Sequence, residues 1–297
     1  MASMGAMRSG QTFEGDSVLN KRSIELSYYR GATQLSPTIQ SLTLDLFYAI
    51  NEKNSLQMQL PFKWVKGNLG KTSGLGDISV CYTRNILKSE NFDFNASLGL
   101  RIPANPSDLN NSYIEYTTDL QSHILPMYYQ RSLGSFDLIF GSAFISHFWV
   151  LGVGLQIPFN DNKNDFRYED WKNYPNDEYI HRYDEANFLN RGTDLMFWIE
   201  RAIYVSRFDF RLGLLPIVRI SKDNILDVNL DSESFNQRIK VDGSSGMALT
   251  GYVSAAYQLS KSCRFKMFFG YAFKNRDTNP DGMDRENILT VSYRRSF

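Results

Sequence analysis

Hydrophobic and polar positions alternate along most of this chain. At the C-terminal end, Leu289, Val291, Tyr293 and Phe297 share one parity, while Thr290, Ser292 and Arg294 share the other. Side chains on a strand point alternately to opposite faces, so this stretch predicts a strand with one apolar and one polar side. The same two-residue period recurs over residues 23–29, 42–50, 56–64, 78–82, 92–102, 208–214, 247–259 and 265–273. Shorter alternating runs open near Phe136 and near Leu195. A less regular stretch, about Thr117 to Arg131, reads as a sixth strand through Leu120, Ile124 and Tyr128. This gives about twelve strands, or fourteen if residues 136–160 hold an extra hairpin.

The connections alternate too. Asn51–Asn54, Lys88–Asn91, Leu133–Ser135, Ser206 and Lys261–Ser262 are tight turns. Between them lie longer polar links, the longest over residues 160–192, together with a Gly/Lys/Ser loop from Gly67 to Gly74. Regular alternation of short and long connections predicts an all-β fold: a transmembrane, antiparallel, up-and-down β-barrel with both termini at the short-turn end. The barrel is expected over residues 18–297, after a flexible tail at 1–17 that has the look of a cloning scar. An apolar closing strand ending in an aromatic also resembles the final strand of bacterial outer-membrane proteins. That likeness implies Tyr293 and Phe297 as the signal read by the barrel-assembly machinery. Arg295, on the apolar parity, is expected at the membrane edge, where its stem can snorkel to headgroups.

Composition excludes several alternatives. Lys plus Arg number 32 and Asp plus Glu number 32, so there is no basic excess to neutralise a nucleic-acid backbone. No run reaches the ~20 apolar residues of a membrane helix, and the longest, Phe148 to Leu155, contains two glycines. Alternating strands average to near-neutral hydropathy, so the slightly negative mean hydropathy is compatible with a barrel. The 21 Phe and 17 Tyr are what interfacial girdles would use. A polar start with no apolar core shows no signal peptide, so export to the outer membrane is inferred from the barrel alone.

The polar parity carries Glu25, Asp45, Gln57, Gln59, Lys63, Asp77, Asp93, Arg101, Asp119, His123, Arg211, Lys266 and Arg294. These are the predicted lumen and constriction residues. The 160–192 link is long enough to fold inward, and Tyr168, Trp171 and Tyr174 are its candidate lid. Cys81 and Cys263 have neither disulfide-framework nor metal spacing, and no cofactor or metal is expected. Ser146 adjoins His147 and Ser122 adjoins His123, but neighbours on a regular strand face opposite ways and form no dyad.

The stretch from Ala49 to Phe62, then Ser73-Gly74-Leu75-Gly76-Asp77-Ile78-Ser79-Val80, then Ser97 to Pro103, resembles the MetA-pathway phenol-degradation family of outer-membrane channels. The likeness covers about residues 40–108, and Ala104-Asn105-Pro106 stands where that family has Thr-Gly-Asp. It implies a transporter-like barrel for small hydrophobic or aromatic compounds. From the residues themselves, Gly74 and Gly76 permit a tight strand entry, and the plain reading of Asp77 is a solvated carboxylate after a turn. The expected function is passive passage of a small solute through the outer membrane, with outer-membrane lipids as surroundings. A lipid hydrolase and a plugged barrel that binds a protein partner are the alternatives.

Overall fold

The computed structural model describes residues 22–110, 123–229 and 232–297. The strands are β1 (Arg22–Ala32), β2 (Thr38–Ala49), β3 (Asn54–Gly67), β4 (Gly70–Leu75), β5 (Ile78–Lys88), β6 (Phe92–Ile102), β7 (Asp137–Ser146) and β8 (Trp149–Pro158). They continue as β9 (Asp194–Val205), β10 (Phe208–Arg219), β11 (Asn224–Leu226), β12 (Arg238–Lys240), β13 (Gly246–Ser260), β14 (Cys263–Lys274) and β15 (Asn287–Ser296). Each barrel strand pairs antiparallel with its neighbours, and β15 pairs with β1 from Ser296↔Ser23 to Asn287↔Ala32, which closes the sheet. β11 and β12 form a separate ribbon, and β4 continues into β5 past a break, so the barrel has twelve strands. Among the described residues every strand of the closed wall is paired on both sides except β4, which pairs only with β3, and lipid requires such closure.

The parity is the one the sequence implies. Along β1 every position from Arg22 to Arg30 alternates between exposed and half-buried. Leu26, Phe62, Leu98, Phe140, Leu151, Phe197, Leu212, Val253 and Phe269 stand exposed on the outside. In water such a continuous apolar belt would be an aggregation surface; against acyl chains it is the favourable one. At the short-turn end the belt finishes in cation–aromatic pairs. Arg22 lies 5.4 Å from the Tyr48 ring, Arg201 lies 4.8 Å from Phe148 and 5.0 Å from Trp149, and Arg295 lies 5.3 Å from Phe297. Both ends of the chain's barrel, Arg22 and Phe297, meet there through a 2.8 Å backbone hydrogen bond.

Three expectations are corrected. The sixth strand expected over Thr117–Arg131 does not appear in its described part, 123–131, where Ile124 makes one bridge to Asn110 and Met127–Tyr129 form a 3-10 turn. Pro126 interrupts that stretch and cannot donate to a ladder, and β6 pairs directly with β7. The lost strand is replaced by β8, which forms a hairpin with β7 within the 136–160 region. Its alternation is masked because Gly152 and Gly154 occupy inward positions opposite large residues of β9. Finally, Gly67–Gly74 is no open loop. β3 and β4 form an arm that rises from the barrel, and the β3–β5 ladder ends at Gln59↔Ser79 where the β3–β4 ladder begins at Phe62↔Leu75. Pro61 sits at this break, and its carbonyl accepts the Gly76 N–H at 2.7 Å.

Candidate functional site

The inner wall divides by height. Toward the short-turn end it is welded by ion pairs between strands. Arg211 donates to Glu200 at 2.6 Å and to Asp209 at 2.9 Å, and Arg264 also reaches Asp209. Tyr252 donates its hydroxyl to Glu200 at 2.8 Å. On the other side Arg294 donates to Glu25 at 2.8 Å, and Asp45 accepts from Gln57 and Gln59 at 2.7 Å each. Glu25, Asp209, Arg211, Arg264, Lys266 and Arg294 line an internal cavity of about 30 Å³, large enough to hold water. Of the predicted lumen residues, Glu25, Asp45, Gln57, Gln59, Arg211, Lys266 and Arg294 are brought together here, and Asp93 points inward near the same end beside Ile145.

Beside this polar zone lies an apolar strip on β7–β10 and β13. Ile139, Met196, Trp198, Leu215 and Tyr252 are buried and packed together, with Phe268 against them. The Trp198 ring lies flat on Gly152, where an added Cβ would come within 2.0 Å of it. The Trp198 indole N–H has no hydrogen-bond partner among the described residues.

At the loop end the lumen is filled by the chain itself. Segment 123–135 and the 159–193 link fold inward and build a second core in which Leu125, Tyr128, Tyr129, Phe166, Trp171, Ile180 and Tyr183 pack on wall residues Ile39 and Val65. Ile180 ends a single-turn helix, α1 (Asp177–Ile180). Trp171 is fully buried and donates its indole N–H to the Ile124 carbonyl at 3.1 Å, so it is a keystone of the plug rather than a ring facing an entrance. Tyr168 donates to the Tyr183 carbonyl at 2.9 Å, and Tyr174 stacks on Tyr179. His123 stands on the plug, 6.4 Å from the Trp171 ring, and not on a barrel strand. Asp119 lies outside the described residues. Burial pushes the Tyr129 and Tyr183 phenols well up from their ordinary range. Burial, with Glu169 adding repulsion, pushes Glu185 up to about 7.

The plug is tied to the wall by buried charges. Asp77 is only 3% exposed, not a solvated carboxylate: it accepts the Leu133 N–H at 3.1 Å and faces Arg101 at 3.7 Å. Lys63 donates to the Arg131 carbonyl at 2.6 Å. Asp137 accepts from Gln156, Ser135 and, at 2.5 Å, the loop residue Arg191, and forms an ion pair with Arg101. Arg219 is fully buried among Asp194 at 2.8 Å, Asp223 at 2.8 Å and Asp281 at 2.7 Å. Burial disfavours the Asp281 carboxylate, but Arg219, Arg276 and Arg191 outweigh it and hold its pKa well below the usual range. Asp137, Asp194, Glu200 and Arg219 were recoverable from strand parity; Arg191, Asp223 and Asp281 were not, because loop residues carry no period.

No family model and no curated protein sequence matches this chain. Among solved structures, an outer-membrane channel from Pseudomonas putida F1 superposes with a TM-score of 0.61 at 14% identity, over 97% of this chain and 99% of that one. The CymD monoaromatic hydrocarbon channel (TM-score 0.46, 10% identity, 99% of this chain and 92% of that one) and the KdgM porin (TM-score 0.45, 9% identity, 93% and 99%) are more distant. By its closed twelve-stranded wall and its likeness to the first of these, the chain has the fold of an outer-membrane channel.

Proposed function

We propose that this protein is a bacterial outer-membrane channel for a small apolar or aromatic solute, with its long loops outside the cell and its lumen shut by them at rest. The observation that carries the solute class is the inward apolar strip with the Trp198 N–H, which has no hydrogen-bond partner among the described residues. An aromatic solute would slide along Met196, Trp198 and Leu215, and a phenolic oxygen could accept that N–H. The resemblance to phenol-pathway channels and the fold of the Pseudomonas channel support the same reading. Passage requires the 159–193 segment to leave, because its core blocks the loop end. Tyr293 and Phe297 face outward on the last strand, available to assembly machinery and lipid.

A lipid hydrolase is less well supported. The Ser146 hydroxyl is engaged with the Trp149 backbone at 3.1 Å in the β7–β8 turn, and the neighbouring His147 ring packs on Phe148. The test is single-channel conductance of the refolded protein in a planar bilayer, beside a deletion of residues 165–188. Conductance that rises on deletion, and is blocked by small phenols, is expected. Silence from both forms, shown folded by heat-modifiable migration, would overturn the channel reading in favour of a plugged barrel that binds a partner.

A further inference from the structure

The joint between wall and plug holds two guanidinium groups whose N–H donors outrun the acceptors around them. Arg101 of β6 and Arg191 of the 159–193 link are buried, 0% and 3% exposed. Both converge on one oxygen, Asp137 Oδ2: Arg191 Nη2 donates to it at 2.5 Å, and Arg101 Nη2 is ion-paired with it. The two forks therefore lie side by side, one on the wall and one on the plug. Arg101 Nε also faces Asp77 at 3.7 Å, beyond hydrogen-bond reach. Among the described residues, Arg101 Nε, Nη1 and Nη2 and Arg191 Nε and Nη1 have no hydrogen-bond partner. A buried donor left unmet is costly, and more so on a charged group, so an acceptor belongs here.

Two observations select its kind. The first is the balance of donors and acceptors. Five guanidinium nitrogens are unmet, three on Arg101 and two on Arg191, against two unmet oxygens beside them, Asp77 Oδ1 and Gln156 Oε1. A water brings hydrogens of its own to a place already rich in donors, whereas an anion accepts and brings none. The second is charge. Among the described residues, Lys63, Arg101 and Arg191 are answered at this joint by Asp77 and Asp137. Asp194 and Asp281, whose fields reach Arg191, are turned to Arg219. None of the five nitrogens is open to solvent, so the occupant is small and is enclosed when the plug docks.

We infer that the Arg101–Arg191 joint is a binding site for a small monovalent anion of chloride size, held by N–H groups of both arginines. Arg101 stays on the wall and Arg191 leaves with the plug, so the complete site exists in the docked form alone. An anion that binds one of two forms stabilises it by mass action, and here that form is the closed lumen. The inference rests on the docked plug and holds whatever solute the barrel passes.

The test is hydrogen exchange of the folded full chain in sodium bromide and in sodium gluconate at the same ionic strength, gluconate being too large for the joint. Exchange in segments 123–135 and 159–193 is expected to be about tenfold slower in bromide, once bromide is in tenfold excess over its dissociation constant. Exchange in β1 and β2 should be the same in both salts. Arg101→Lys keeps the charge beside Asp137 but removes the fork, and should abolish the bromide effect. Crystals grown in bromide should show an anomalous peak within hydrogen-bond reach of Arg101 and Arg191, which locates the ion even if the substitution loosens the plug. Equal exchange of the wild type in both salts, a bromide effect shared by β1 and β2 or kept by Arg101→Lys, or an ordered joint with no anomalous peak would overturn the inference.

Discussion

Two arginine centres inside this barrel look alike and do different work. Arg211 is buried among Glu200, Asp209 and their neighbour Arg264, and every one of these stands on a barrel strand, β9, β10 or β14. Arg219, eight residues further along β10, is buried among Asp194 of the wall and two loop carboxylates, Asp223 and Asp281. The first centre joins wall to wall. The second joins wall to loops, and Asp223 passes the connection on by accepting the Gly192 N–H at 2.7 Å. A buried ion pair adds little net stability over an apolar replacement, but removing one partner leaves the others uncompensated. The lesson is that the same chemistry sets rigidity in one place and closure in the other, according to which elements carry the partners.

The largest effect is expected from Arg219→Met. It strands three carboxylates and should cost about 3–5 kcal/mol, released as loop undocking: hydrogen exchange and proteolysis at residues 159–193 and 275–286 should rise while the strands stay protected. Global loss of strand protection would contradict the division of labour. Trp171→Ala should cost about the same, ~3–5 kcal/mol for a truncated buried aromatic, and be visible as the same local exposure. Gly282 comes next. It has φ 63°, and a Cβ there would come within 2.5 Å of the Tyr128 backbone nitrogen. Gly282→Ala should therefore loosen the contact between the 275–286 loop and the plug by about 1–3 kcal/mol, read as faster exchange in both segments and none at β1 or β2.

The smallest effect is that of pH. Burial, with Glu169 and Asp227 adding repulsion against Arg167, pushes Glu185 up to about 7, above its ordinary 4.5. The docked loop therefore binds this proton more tightly than the free loop. Its contribution is fully present below pH ~4.5 and is lost as pH rises through about 7. Partial contact with water weakens the effect. Loop exchange should quicken modestly between these limits, and Glu185→Gln should flatten the profile; a profile unchanged by that substitution would remove Glu185 from the account.

Much of this was legible from residue order alone. Period-two alternation located most strands, because a wall between lipid and a polar interior must alternate, and it set Glu25, Asp45, Arg211 and Arg294 on the polar parity. It failed where the wall is unusual. β8 was hidden by Gly152 and Gly154, which make room for large inward residues of β9, and the apolar strip around Trp198 breaks the rule that the interior is polar. The stretch ending at Arg131 imitated a strand because Leu120, Ile124 and Tyr128 are spaced by even numbers, although Pro126 lies among them. The plug was beyond reach for a different reason. Its docking depends on contacts such as Asp281 with Arg219, 62 positions apart, that no local pattern encodes.

The most direct test of the account sets the two centres side by side: single-channel conductance of folded Arg219→Met and Arg211→Met in the same bilayer. Opening in the Arg219 variant, with the Arg211 variant as silent as the wild type, is the predicted result. Equal opening in both, or silence in both, would contradict the claim that the wall-to-loop centre is what holds the lumen shut.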